Sequence, residues 1–374
     1  MVGCCQTGIE NEVKSSAFQG KGAEAMAKEI YAGIDLHKNQ FTACILKNGE
    51  VMEEGTKYCL SPEGLSSFAS RLQQFTLKDY RIKVAFESTG NARYFKTEMD
   101  RQNFESHVIN TLRFKVVNLS TNKTDKNDAR TIADFLEKDM LPESHLCSAY
   151  SEGIRRILKV RSLLVSDCTA IKNQAHAVLL AYGIITQLSQ FQSRKARLRF
   201  TQSIENPQLK QSLYMLFKTL DALESQIKSL ERELTELTLQ DNNVRLLKTI
   251  PGIGIVNACT ISAYTDDIRR FSSAKQFSSF CGIVPWVQSS NESSYYGRIT
   301  KRGPKELRTA LVQCVVAMVR LQETTGETRL MKSYHALKDS KCSGKAIIAT
   351  ARKLSCIIYT MLSKNKPFDM SLQR

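Results

Sequence analysis

Ile30 to Ile34 is an apolar run that closes on a carboxylate, Asp35, and after a polar turn Phe41 to Leu46 is apolar again. This pattern predicts a buried strand that turns into a hairpin and returns through Asn48-Gly49 over Val51–Tyr58. Ser61-Pro-Glu-Gly then opens a helix to about Phe75, with Ser61 as N-cap and Pro62 at the first helical position. Arg81 to Phe86 predicts a second buried strand, and it too ends on an acid, Glu87. Ser88-Thr-Gly-Asn starts a helix through about Arg101. Ser106 to Asn110 reads as a third strand that Phe114–Asn118 continues. A polar stretch from Ser120 leads into a helix from about Asp125 to Glu137. Hairpin, helix, strand, helix, strand, helix is the order of an α/β layer with a mixed sheet.

Beyond residue 146 the period changes to that of helices. Arg155, Arg156, Lys159 and Arg161 mark one basic helix; Lys172, His176 and the cluster Arg194 to Arg199 follow. Leu213, Leu216, Leu220, Leu223, Ile227, Leu230, Leu234 and Leu237 alternate spacings of three and four. Such a seam predicts a coiled coil, and with it self-association; an amphipathic helix packed within its own chain has the same pattern. Asn242-Asn243 breaks the helix, and Pro251-Gly-Ile-Gly254 between two helical segments predicts a helix-hairpin-helix. There Gly252 and Gly254 would let backbone N–H groups approach a phosphate. Gly282-Ile-Val-Pro285 precedes a Ser-rich loop, Gln288 to Tyr296, and a basic turn, Gly297 to Gly303; two long helices complete the chain. The expected organisation is a flexible extension (1–28), an α/β domain (29–145), a helical linker with the coiled coil (146–243) and a mainly helical C-terminal domain (244–374).

Composition narrows the partners. The 374 residues carry a net charge of +16, which points to a polyanion, most simply nucleic acid. The 11 cysteines form no CxxC pair and read as buried reduced thiols of a cytosolic protein, not as a disulfide framework or zinc site. No apolar run approaches the ~20 residues of a membrane span, and the first 28 residues lack an apolar signal core.

Four carboxylates stand out: Asp35 and Glu87 end predicted strands, and Asp125 and Asp128 lie three apart at a helix start, on one side of it. A buried carboxylate needs neutralising. If the three elements are neighbours the acids converge, and hard oxygen ligands suit Mg²⁺ or Mn²⁺ for phosphoryl transfer. As a pair on their own, Asp125 and Asp128 also serve as complements to a helix dipole. Asp134 competes as a fourth acid but lies outside the first helical turn. In the Ser-rich loop a hydroxyl beside Arg298, Lys301, Arg302, Lys305 and Arg308 can attack a phosphate, or the loop can simply contact one.

Gly33-Ile-Asp-Leu-His-Lys38, Phe86-Glu-Ser-Thr-Gly90, Lys123-Thr-Asp-Lys-Asn-Asp-Ala-Arg130, Ile250-Pro-Gly-Ile-Gly254, Arg270-Phe271, Gly282-Ile-Val-Pro285 and Gly297-Arg-Ile-Thr-Lys-Arg-Gly303 occur in an order that resembles the DEDD transposases of the insertion-sequence one-ten family. The resemblance is to its eleven-eleven branch in particular, with the Piv-type DNA invertases as relatives, and it covers about residues 30 to 360. It implies a RuvC-like, RNase H-type first domain whose acids fall on Asp35, Glu87, Asp125 and Asp128, with Lys123 among the nucleic-acid contacts. It also implies a C-terminal transposase domain with a catalytic serine that aligns with Ser290. The two glycines usual after that serine are Asn291 and Glu292 here; Ser289, Ser293 and Ser294 are stand-ins. Donor and target DNA, a structured bridge RNA, a tetramer with composite sites, and a bacterial, nucleoid-associated location are further implications. Two other readings stay open: a metal-only RuvC-like junction nuclease, and a nucleic-acid-binding protein without catalysis.

Overall fold

A computed structural model describes residues 28–75, 80–117, 124–290, 293–325 and 328–370. Almost all of the expected N-terminal extension, Cys4 and Cys5 included, lies outside these residues, as do Lys123, Asn291 and Glu292. The chain divides into two compact units, Met1–Leu146 and Cys147–Arg374.

The first unit is built on a five-stranded mixed sheet in the order β3-β2-β1-β4-β5. Strand β1 (Glu29–Leu36) lies at its centre. It pairs antiparallel with β2 (Gln40–Lys47) and parallel with β4 (Arg81–Glu87). The edges are β3 (Glu50–Cys59) and β5 (Glu105–Ile109). A central strand covered on both faces explains the unbroken apolar run that precedes Asp35. Alternate residues of β1 point to opposite faces. Ile30, Ala32 and Ile34 join a core with α1 (Pro62–Gln74) and α2 (Ala92–Arg101), where Phe41, Phe68, Phe86 and Phe95 meet edge to face. Gly33 and Asp35 belong to the other face.

The segment after β5 differs from the expected strand continuation. It forms a helix, α3 (Thr111–Val117). The Asn110 side chain accepts from Arg113 N–H, and Phe114 N–H donates to Asn110 O, so the chain turns helical at once. Phe114 is buried against Phe135.

In the second unit α5 (Ala149–Ala181) and α7 (Pro207–Leu237) form a long antiparallel pair, with α6 (Arg194–Gln202) beside α7. The leucine seam of α7 faces its own chain over much of its length. Leu213 and Leu220 are fully buried with Ala175 and Leu179 of α5, and Leu234 joins the C-terminal core. Leu237 is half exposed. Several of the basic residues noted in the sequence pair internally. Arg161 bonds Glu231 at 2.7 Å, and the fully buried Arg197 holds Asp221 and Glu224 at 2.5 and 2.7 Å. Arg155 donates to Ala263 O and lies over the Tyr264 ring.

A second core gathers α8 (Asn242–Leu247), α9 (Ile255–Thr265), α10 (Ala274–Phe280), α11 (Lys305–Thr325), α12 (Arg329–Ser340) and α13 (Ser343–Lys364). By length and composition alone α13 would pass for a membrane-crossing helix, although Lys345, Arg352 and Lys353 interrupt its apolar residues. Here Leu354, Ile358 and Leu362 pack it into the core. The stretch read as a Ser-rich loop is instead a two-stranded hairpin, β6 (Pro285–Ser290) and β7 (Ser293–Ile299). Trp, Val, Tyr and Ile flank the serines, and such residues favour extended pairing.

Candidate active site

The acid site starts from a glycine. Helix α4 (Asp125–Glu137) crosses β1 at Gly33, where an added Cβ would stand 2.2 Å from Ala129 O and 2.3 Å from Ala133 N. Two alanines on the helix and a glycine on the strand bring the two backbones together. The helix is pinned along its length. Thr124 caps its start by accepting from Asn127 N–H at 3.2 Å, Lys126 and Arg130 reach Glu54 of β3 at 2.9 and 3.1 Å, and Glu137 accepts from Gly49 N–H at 2.7 Å. This fixes the first turn of α4, with Asp125 and Asp128, at the end of β1 that carries Asp35.

His37 sits between the acids. Its Nε2 lies 3.1 Å from Asp35 Oδ2 and 3.5 Å from Asp125 Oδ1. One donor atom from each of Asp35, His37 and Asp125 falls within a mutual 4.8 Å. Lys57 on β3 reaches Asp125 Oδ2 at 3.5 Å. Asp35 is 18 % exposed. Burial pushes its carboxyl above the ordinary range; His37 opposes that rise, and the charges of Asp125 and Asp128 add to it. Glu87 ends β4 one position past the last β1–β4 register pair, Ile34 with Phe86, so the sheet sets it level with Asp35 on the next strand. Asn91, from the Ser-Thr-Gly-Asn turn after Glu87, donates through Nδ2 to His37 O at 2.7 Å. That bond ties the second acid's turn to the first acid's.

The donor set fits a divalent cation. Carboxylate oxygens are hard ligands, crowded acids gain from a cation, and one imidazole tilts the choice towards Mn²⁺ over Mg²⁺. Sequence reasoning missed His37 as a member of the group. The available signal was its place two residues beyond a strand-ending acid, a spacing that keeps both side chains on one side of an extended chain.

The remaining candidates belong to the second unit. Ser290 ends β6, paired with Ser293 in the register. The base of the hairpin is closed by Thr300 N–H to Val284 O at 2.9 Å and Lys301 N–H to Gly282 O at 3.2 Å. Arg298, Lys301, Arg302 and Lys305 are exposed, and none has an ion pair with a carboxylate among the described residues. Arg308 is half-buried and points back to Lys301 O at 3.4 Å. Gly252, at φ +86°, owes its place to packing: a Cβ there would meet Met318 N of α11 at 2.9 Å. Gly254, the N-cap of α9, is open on the side where a Cβ would stand. The Arg270 of the Arg-Phe motif is structural: it donates to Thr265 O at the end of α9 and stacks on Phe271 and Phe280. Lys123 lies outside the described residues.

Comparison with known proteins adds what geometry alone does not. A DEDD transposase model of the IS110 type matches residues 32–184, and the model described as "Transposase IS116/IS110/IS902 family" matches residues 244–330. The first span contains the four acids and the second contains the hairpin and the basic turn. The chain belongs to the IS110 family of transposases. This transposase is therefore an enzyme of DNA transposition and recombination. It is 28 % identical to the transposase for insertion sequence element IS1328 of Yersinia enterocolitica, over 90 % of this chain and 98 % of that one. Against the transposase for IS1111A of Coxiella burnetii it is 25 % identical, over 76 % of this chain and 79 % of the other. It is also 26 % identical to the pilin gene-inverting protein of Moraxella bovis, over 91 % and 98 %.

Proposed function

We propose that this transposase is a site-specific DNA recombinase that cuts and rejoins strands through Ser290. The hydroxyl of Ser290 attacks a phosphodiester; a serine Oγ–P bond forms, the bond to the 3′ oxygen breaks, and that oxygen leaves with a proton. Reversal from a new 3′ end rejoins the strand and frees the serine. Asp35, Glu87, Asp125 and Asp128 would hold Mg²⁺ or Mn²⁺, and a cation held there supplies positive charge at the scissile phosphate and the leaving oxygen. Arg298, Lys301, Arg302 and Arg308 would stabilise charge on the phosphate attacked by Ser290. Lys123, Lys305 and Gly254 would contact backbone phosphates, and Gly252 would hold the turn that leads to Gly254.

The observation that carries this reading is the convergence of Asp35, His37 and Asp125 beside a strand that ends on Glu87. The relatives named for transposition and for gene inversion support strand exchange over simple cutting. Guidance by a bridge RNA and assembly into a tetramer complete the proposal. For assembly, the support is apolar surface on the long helix pair: Val160 and Leu163 of α5 are 49 % and 61 % exposed. The test is strand exchange between donor and target DNA with purified protein and its flanking RNA. Ser290→Ala and Asp128→Ala should each abolish it. Exchange that survives in both variants would refute the mechanism, and cutting that survives only in Ser290→Ala would favour a metal-only nuclease.

A further inference from the structure

The β6–β7 hairpin holds its largest side chains in water. Trp286 and Val287 are 48 % and 47 % exposed, and Tyr295 and Tyr296 are 66 % and 68 % exposed. Aromatic rings of this size normally give the most apolar area to a core. Here the strands are extended and paired, so the exposure follows from the register. Val287 opposes Tyr296 and Gln288 opposes Tyr295, with an irregularity between Pro285 and Val287. Trp286 is thus the diagonal neighbour of Tyr295, and the rings meet edge to face with centroids 6.3 Å apart at 72°.

The Trp286 ring is held in place from below. It rests on the backbone of β7 at Gly297, where an added Cβ would stand 2.9 Å from ring atom Cε3. Directly after that glycine come Arg298, Lys301 and Arg302, all exposed, with no carboxylate partner among the described residues. An aromatic face followed closely in sequence by exposed cations with no carboxylate partner among the described residues is the composition of a surface that stacks bases and follows a phosphate backbone. It is a poor match to a protein partner, because the cations would then need carboxylates opposite them.

We propose that the Trp286–Tyr295 face stacks an unpaired base of the DNA strand that is being cut, next to the phosphate that Arg298 and Lys301 hold for Ser290. This rests on the reading of Ser290 as the residue that attacks DNA. Ser290 lies two register positions from Gln288, the partner of Tyr295, which is about 7 Å of strand. A base stacked there therefore sets the neighbouring phosphate in register with the serine. Bases inside an intact duplex offer only their edges, so the platform selects a strand that is already opened or distorted.

Trp286 is the chain's single tryptophan, so its emission reports on this surface alone. The experiment titrates full-length protein with an unlabelled single-stranded oligodeoxynucleotide, a duplex bearing one unpaired nucleotide, a perfect duplex, and an oligoribonucleotide. Binding is followed separately by anisotropy of labelled DNA. The expected result is quenching of Trp286 by the first two probes, little by the perfect duplex, and about ten- to hundredfold weaker binding of those two in Tyr295→Ala and Trp286→Ala. Trp286→Phe should recover part of the loss, and unchanged thermal melting shows that the variants fold. DNA binding without quenching and without loss in the variants overturns the platform and leaves the recombinase reading intact. Quenching by RNA but not by DNA overturns the choice of strand. An emission change that follows protein concentration with rising mass, in the absence of nucleic acid, means that a second copy covers the face and also overturns the proposal. Absence of DNA binding in any form overturns both readings.

Discussion

Gly33→Ala is the sharpest perturbation of the acid site, although no carboxylate is touched. The methyl group would begin 2.2 Å from Ala129 O, 2.3 Å from Ala133 N and 2.9 Å from Ala133 Cα. All three are backbone atoms, so trimming side chains on α4 gives no relief. To restore an ordinary contact of 3.4 Å, the helix must retreat by about 1.2 Å, or β1 must buckle. Overpacking of this kind costs typically about 1–3 kcal/mol, and a clash with backbone on both sides belongs at the upper end. The same retreat carries Asp125 away from Asp35 and His37. A ligand moved by about 1 Å cannot satisfy a cation that binds oxygen at about 2.0–2.1 Å, so affinity for Mn²⁺ or Mg²⁺ should fall at least tenfold. The assay is urea unfolding of the full-length protein together with Mn²⁺ titration by electron paramagnetic resonance. Gly153→Ala serves as control. It lies within α5 with nothing within 4 Å of its added Cβ, and it should stabilise by about 0.5–1 kcal/mol. If Gly33→Ala unfolds within about 0.5 kcal/mol of the parent and binds Mn²⁺ equally well, α4 does not lie on β1 as described.

Three other outcomes follow from the same geometry. His37→Ala should weaken Mn²⁺ binding more than Mg²⁺ binding in calorimetric titration, since imidazole is the softer donor; equal losses would remove His37 from the ligand set. Because the Asp35 carboxyl is raised by burial, the folded state holds that proton more tightly than the unfolded chain. The metal-free protein should therefore gain stability from Asp35 as pH falls through the raised pKa and lose it as pH rises. The melting-temperature increase given by Mn²⁺ should fade on acidification at a pH above the ordinary Asp range, and a flat profile that matches Asp35→Asn would contradict the assignment. Leu163→Glu, on exposed surface of α5, should lower the mass seen by light scattering while leaving the melting temperature unchanged; an unchanged mass would place the assembly surface elsewhere.

Of the candidate acids, Asp35 and Asp125, which the structure brings together, are legible from local patterns. An apolar run that stops on Asp35 or Glu87 marks the end of a buried strand, and the three-residue spacing of Asp125 and Asp128 marks one side of a helix start. What the sequence could not supply was contact between distant segments. The main chain at His37 is held by the Asn91 amide, a bond between residues 54 apart, and no spacing rule reaches that far. The seam of α7 specifies a partner helix but not whose; residues of α5, in the same chain, cover much of it. The residues of Phe114–Asn118 suit a strand, yet Asn110 starts a helix through Val117. The serines at the tip of the hairpin of Trp286 and Tyr296 have the composition of a loop, while the aromatic and branched residues around them favour the pairing that forms.

In the proposed mechanism Ser290 and the four acids take part in one phosphoryl transfer. The most direct measurement is capture of the protein–DNA intermediate on a denaturing gel, with the parent, Ser290→Ala and Asp35→Asn incubated with donor and target DNA, flanking RNA and Mg²⁺. The account predicts a covalent adduct with the parent, mapped by mass spectrometry to Ser290, and none with either variant. Cleaved DNA with no adduct, or an adduct on another residue, would contradict it.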